Sequence, residues 1–131
     1  MATIRKEFRV ATPIEKVWAA LSDFQAVHTK LARGFVVESA PEEGGAVRAI
    51  TFANGMKARE RLVTLDPAAK RVCYAIGDSP NLTHYSASAQ LFEDGTGTLF
   101  VWQVDLLPDA MAPAVSGMMD AGLEAMRATV G

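Results

Sequence analysis

The sequence predicts an α+β fold of one strand, two short helices, six strands in succession and a long final helix. Three observations predict it. The stretch Ala11 to Phe24, directly after a cleanly alternating strand, carries a capped amphipathic helix. Runs of alternating apolar and polar residues, most closed by turn-forming residues, fill the middle of the chain. A long amphipathic stretch ends it.

Ile4, Lys6, Phe8 and Val10 alternate with Thr3, Arg5, Glu7 and Arg9, with Lys6 the one polar residue on the dry face. Thr12 is expected to cap the first helix, Pro13 to take its first position and Glu15 to complete a capping box. Ile14, Val17, Trp18 and Leu21 then share an apolar face. Asp23 starts a second short helix through Leu31, and Gly34 ends it. Phe35 to Ala40 is the second strand, closed by Pro41-Glu42-Glu43-Gly44-Gly45. Ala46 to Phe52 and Met56 to Leu65 form a hairpin around Ala53-Asn54-Gly55. Asp66 to Lys70 turns into Arg71 to Ile76, and Gly77 to Asn81 connects loosely to Thr83 to Phe92. Glu93 to Gly97 turns into Thr98 to Leu107. After Pro108, a helix covers roughly Asp109 to Thr129. Tight turns between consecutive strands imply an antiparallel sheet with one dry face.

At 131 residues, 50% hydrophobic and 21% charged, the chain is of globular rather than disordered composition. A net charge of −2 supplies no basic footprint for nucleic acid. The single cysteine, Cys73, excludes an intramolecular disulfide, and with only His28 and His84 beside it no metal site is expected. The first residues lack an apolar signal core and no apolar run approaches spanning length. The expectation is a cytoplasmic protein without membrane insertion, and without a cofactor.

Strand alternation places several polar side chains on the dry face. Lys57, Arg59 and Arg61 mark the wet face of the fourth strand, so Glu60 shares the other with Met56, Ala58 and Leu62. Arg48 lies on one face with Ile50 and Phe52. A three-residue loop at Ala53 to Gly55 sets Arg48 opposite Glu60. A two-residue Asn-Gly turn would shift the register by one and put Ile50 beside the basic face. Arg48 and Glu60 therefore form an inward ion pair, which either fixes strand register or anchors a ligand. Tyr74 and Ile76, Tyr85, Ala87 and Ala89, and Trp102 also point inward. Any one of them alone reads as core packing. Together they suggest unfilled space with a few polar groups. In the last helix Ala114, Met118 and Gly122 form a small-flexible-small stripe beside a core stripe of Val115, Met119, Leu123 and Met126. The first stripe either leaves room for a guest or permits close packing.

The order of elements, with the Trp18-bearing helix after the first strand, resembles the START/Bet v 1-like superfamily. Within it, the chain is similar to the small bacterial polyketide cyclase/dehydrase (SRPBCC) proteins. The resemblance covers the whole chain. It implies a helix-grip fold, a single domain over residues 1–131 whose curved seven-stranded antiparallel sheet wraps around the long C-terminal helix. It also implies a hydrophobic pocket closed by that helix, and it does not imply one reaction. The plant abscisic acid receptors of the same superfamily look similar at Arg48 and Glu60: an arginine, a glycine-bearing turn, then a glutamate. Ala53 to Gly55 and Gly77 to Leu82 look like those receptors' gate and latch loops, the first being shorter; two surface turns is the plainer reading.

Three functions follow as expectations. The first is binding of a lipophilic molecule (polyketide-, lipid- or terpenoid-like) by Arg48, Ile50, Glu60, Leu62, Tyr74, Ile76, Tyr85, Ala87, Trp102, Ala114, Met118 and Gly122. The second is a cyclase, aromatase or dehydratase, with Glu60 as general acid/base while Tyr85 or Tyr74 polarises a carbonyl. The third is an interaction module, with Met111, Met118 and Met119 serving a homodimer. No nucleophile–base pair or phosphate-cradling glycine loop is visible.

Overall fold

A computed structural model describes residues 1–77 and 79–131. The chain runs β1 (Ala2–Val10), α1 (Ile14–Ser22), a 3-10 turn (Phe24–Ala26), a π turn (Val27–Leu31), β2 (Val36–Glu42) and β3 (Val47–Phe52). It continues through β4 (Lys57–Asp66), β5 (Arg71–Ile76), β6 (His84–Asp94), β7 (Gly97–Leu107) and α2 (Ala112–Val130). The seven strands form one antiparallel sheet in the order β1-β7-β6-β5-β4-β3-β2, curved around α2. Every pair is sequential except β1–β7, which brings the first and last strands together.

The β3–β4 hairpin has the register its charges require. Arg48 pairs with Glu60, Ile50 with Ala58 and Thr51 with Lys57. The Phe52 and Met56 backbones close the three-residue loop, the Phe52 N–H donating to the Met56 carbonyl at 2.8 Å. Gly55 holds φ +88°, a left-handed conformation glycine adopts without steric penalty. On the outer face Arg59 pairs with Glu42, and Arg61 with Glu43. That accounts for the two arginines of the basic stripe on β4. Lys6, facing inward from β1, is neutralised by Asp120 of α2 at 2.7 Å.

Three expectations are corrected. Thr12 does not cap α1. The helix begins at Ile14, and the Thr12 hydroxyl donates instead to the Val130 carbonyl at 2.5 Å. Glu15 closes no capping box and lies 3.5 Å from Lys70. Thr12 thus fastens the start of α1 to the end of α2. The second short helix is not one regular element. Its winding changes at Ala26 (φ −107°), and with that change Phe24, Val27 and Leu31 are all buried. A bulge at Val63, which is 62% exposed, also breaks the β4 alternation expected through Leu65.

The core lies between the concave face of the sheet, α2 and the short helices. Phe8 stacks on Phe100 at 4.7 Å, and Val17, Val104 and Leu106 are fully sealed. No helix among the described residues is long and apolar enough to cross a membrane.

Candidate functional site

The concave face does not close completely onto α2. A cavity of about 170 Å³ remains, and its walls are mostly apolar. Leu21, Val27 and Leu31 of the short helices form one side. Val115, Met119 and Met126 of α2 form another. Ile50, Val72, Phe100 and Trp102 supply the sheet side. At one end Met56 and Lys57 also line it, and both are exposed, so the cavity reaches the surface beside the β3–β4 turn.

The polar groups gather on one wall. Arg48 and Glu60 are only 6% and 5% exposed. The Arg48 Nε donates to Glu60 Oε1 at 2.8 Å, and its Nη1 donates to the Phe24 carbonyl at 3.0 Å. The guanidinium carbon also lies 3.9 Å from the Phe24 ring centre and 5.0 Å from that of Tyr74. A buried charge is tolerable only when so paired. The Tyr74 oxygen accepts a hydrogen bond from Trp102 Nε1 at 3.0 Å. Tyr74 and Tyr85 are 7% and 9% exposed. Burial pushes both phenols up from their ordinary value, and the nearby Glu60 charge adds to it; for Tyr85 the neighbouring Tyr74 contributes as well. Both therefore remain protonated donors. Among the described residues no His/Cys/Asp/Glu cluster is arranged to hold a metal.

The family described as "Polyketide cyclase / dehydrase and lipid transport" matches residues 1–131. The chain belongs to this family. Among solved structures, the Bacillus cereus protein XoxI is 23% identical, with a TM-score of 0.87 over 99% of this chain and 96% of its own. The aromatase/cyclase ZhuI from Streptomyces sp. R1128 is 22% identical, with a TM-score of 0.79 over 97% and 92%. A START superfamily protein from Mycobacterium smegmatis is 15% identical, with a TM-score of 0.76 over 98% and 96%. At these identities the likeness establishes the fold, the START/Bet v 1-like sheet around a long C-terminal helix. No curated protein matches the chain.

In this cyclase/dehydrase-family chain the cavity wall includes Arg48, Ile50, Glu60, Tyr74, Ile76, Tyr85, Trp102, Met118 and Gly122. Three expected residues lie off it. Ala87 is buried between its cross-strand partners Tyr74 and Val104, and its methyl does not reach the wall. Leu62 sits one residue before the β4 bulge and packs at the margin of the core. Ala114 is exposed on α2, where it borders a shallow outer groove with Phe35, Phe52 and Gly117. Residues four apart on a helix rotate by about 40° per step, so the stripe swings by about 80° from Ala114 to Gly122. The line that follows the cavity is Val115, Met119, Gly122 and Met126, most of which reads as plain core in sequence.

The short helices supply the part of the site that alternation does not reach. Phe24 gives both its carbonyl and its ring to Arg48. The Phe24, Val27, Leu31 spacing could have marked that face. Of the methionines expected to serve a homodimer, Met119 is 1% exposed, while half-buried Met118 lines the cavity and half-buried Met111 packs on the core. Of the two candidate gating segments, Ala53 and Asn54 border the outer groove. Ser79, Pro80 and Leu82 line the cavity itself, while Asp78 of that segment lies outside the described residues. His84 is on the exposed face beside Ser86 at 3.2 Å. His28 is half-buried, its Nδ1 enclosed and without a hydrogen-bond partner among the described residues.

Proposed function

We propose that residues 1–131 act as a single START/Bet v 1-like binding domain for a lipophilic small molecule, held in the internal cavity with its polar end at Arg48, Glu60, Tyr74 and Tyr85. The observation that carries this reading is an apolar cavity with the chain's one buried ion pair, among the described residues, on its wall. Small-molecule sites combine an apolar lining with a few converging polar groups in this way. A pair serving strand register alone has no need of a cavity beside it.

A second reading has one observation in its favour. Glu60 Oε2 makes no hydrogen bond to the described residues, so a buried carboxylate oxygen is left to act on a guest. Glu60 would then take a proton from carbon next to a carbonyl that Tyr85 or Tyr74 polarises. The neighbour named an aromatase/cyclase makes a cyclisation or dehydration of a polyketide-like substrate the reaction to test.

The first experiment is extraction of the purified protein with organic solvent and mass spectrometry of the extract, beside a thermal-shift screen of aromatic polyketides, fatty acids and terpenoids. A guest in stoichiometric amount, or a stabilising compound whose effect disappears in Arg48→Ala, supports the binding reading. A protein that carries nothing and that no compound stabilises refutes it. With a substrate in hand, full turnover by Glu60→Gln refutes the enzymatic reading.

A further inference from the structure

Arg48, Glu60, Tyr74 and Tyr85 are buried polar side chains on the cavity wall, and the protein uses only part of their hydrogen-bonding capacity. Arg48 commits Nε to Glu60 and Nη1 to Phe24, leaving Nη2. Tyr74 accepts from Trp102, which leaves its own O–H to donate. The Tyr85 hydroxyl and Glu60 Oε2 have no partner among the described residues. None of these atoms is among the buried polar atoms sealed without a partner, which are Gln25 Oε1, His28 Nδ1 and Ser39 Oγ. The spare capacity therefore opens on the cavity. It consists of a guanidinium edge and two hydroxyl donors against one carboxylate acceptor. Burial keeps both phenols protonated, which preserves them as donors.

Charge narrows the guest further. Arg48 and Glu60 already cancel each other, and the cavity's other cation, Lys57, stands exposed at the mouth, so an anion at the buried wall would bring an uncompensated charge into an apolar cavity. The Nε–Nη2 edge of Arg48, on which a carboxylate would dock in bidentate fashion, is half taken by Glu60. Size narrows it again. A cavity of about 170 Å³ is close to the roughly 150 Å³ apolar cavity that accepts a benzene ring.

We infer, on the reading of this cavity as a binding site, that its guest is a neutral, compact hydroxy-carbonyl compound. The carbonyl oxygen accepts from Tyr85 and the Arg48 or Tyr74 donors. The hydroxyl donates to Glu60 Oε2. Carboxylates are disfavoured, and purely apolar molecules leave the polar groups unpaired.

Three probes of similar size test this by calorimetry and thermal unfolding at neutral pH: 4-hydroxyacetophenone, 4-ethylphenol and 4-hydroxybenzoate. The ketone is expected to bind about tenfold more tightly than 4-ethylphenol, the equivalent of one hydrogen bond. The benzoate, ionised at that pH, should give no stabilisation. Tyr85→Phe should reduce the preference for the ketone over 4-ethylphenol. If that variant does not fold, the ratio in the unaltered protein still decides. Equal binding of ketone and 4-ethylphenol, or binding of the benzoate as tight as the ketone, overturns the inference and leaves a binding cavity standing. No binding by any of the three overturns the inference too, and the solvent extraction and the wider screen then decide the binding reading separately.

Discussion

Arg48 and Glu60 each make the other tolerable in the interior, and that mutual dependence can be measured. Removing one partner leaves a buried charge uncompensated, so Glu60→Leu should lower stability by about 3–5 kcal/mol in urea denaturation. The double replacement Arg48→Met with Glu60→Leu should recover most of that loss, because a matched apolar pair needs no desolvation of charge. Recovery of stability with loss of ligand binding would show that the pair serves the cavity. A double variant as unstable as the single would mean that the pair holds the sheet. Tyr74 and Tyr85 are the chain's only tyrosines, so phenolate absorbance reads the cavity directly. Their folded pKa values lie above the ordinary 10.0. The unfolded chain therefore releases these protons first as pH rises. The stability they contribute is fully present below about pH 10 and is lost as alkalinity increases through the folded values. Phenolate absorbance should stay low beyond pH 10 and then rise together with the loss of helical circular dichroism. A rise near pH 10 in folded protein would show the phenols to be solvated.

Two glycines of α2 separate helix propensity from cavity shape. A Cβ at Gly117 meets nothing within 4 Å, whereas one at Gly122 lies 3.0 Å from the Phe35 ring and 3.1 Å from that of Trp102. Gly117→Ala should stabilise by roughly 1 kcal/mol, the usual difference in helix propensity. Gly122→Ala should gain less, because a ring must move, and should weaken guest binding by narrowing the cavity. Equal gains in melting temperature and unchanged binding would contradict this. The same scale explains what the sequence could tell. The β3–β4 register was legible because Lys57, Arg59 and Arg61 mark one face and a shift of one residue would expose Ile50. The α2 stripe was half legible. Periodicity says which residues turn inward, not whether they meet neighbours or open space, so Met119 and Met126 read as core and Ala114 as wall. The Phe24, Val27, Leu31 spacing could have placed the Phe24 ring, but its carbonyl contact to Arg48 is made by backbone, which no side-chain pattern records.

For the molecule as a whole, tight turns and alternation made the sheet legible, and the family likeness fixed its closure around α2. The volume left inside was not legible, since it depends on how the short helices and α2 settle against the sheet. That volume links binding to stability. A guest that binds only the folded chain, present at a hundred times its Kd, should add about 2.7 kcal/mol. The unfolding temperature should then rise with the logarithm of guest concentration, and a flat dependence would place the guest outside the folded cavity. The pairing of β1 with β7 also governs how the chain can be made. Ala2 meets Leu106 and Val10 meets Thr98. During synthesis β1 emerges first and has no strand to join until nearly the whole sheet has left the ribosome, with α2 later still. The six other strands can zip together by neighbouring hairpins, whereas this edge must wait for the longest-range contact in the sheet. A nascent chain halted before β7 would carry β1 as an unpaired amphipathic strand, open to joining a strand of another molecule.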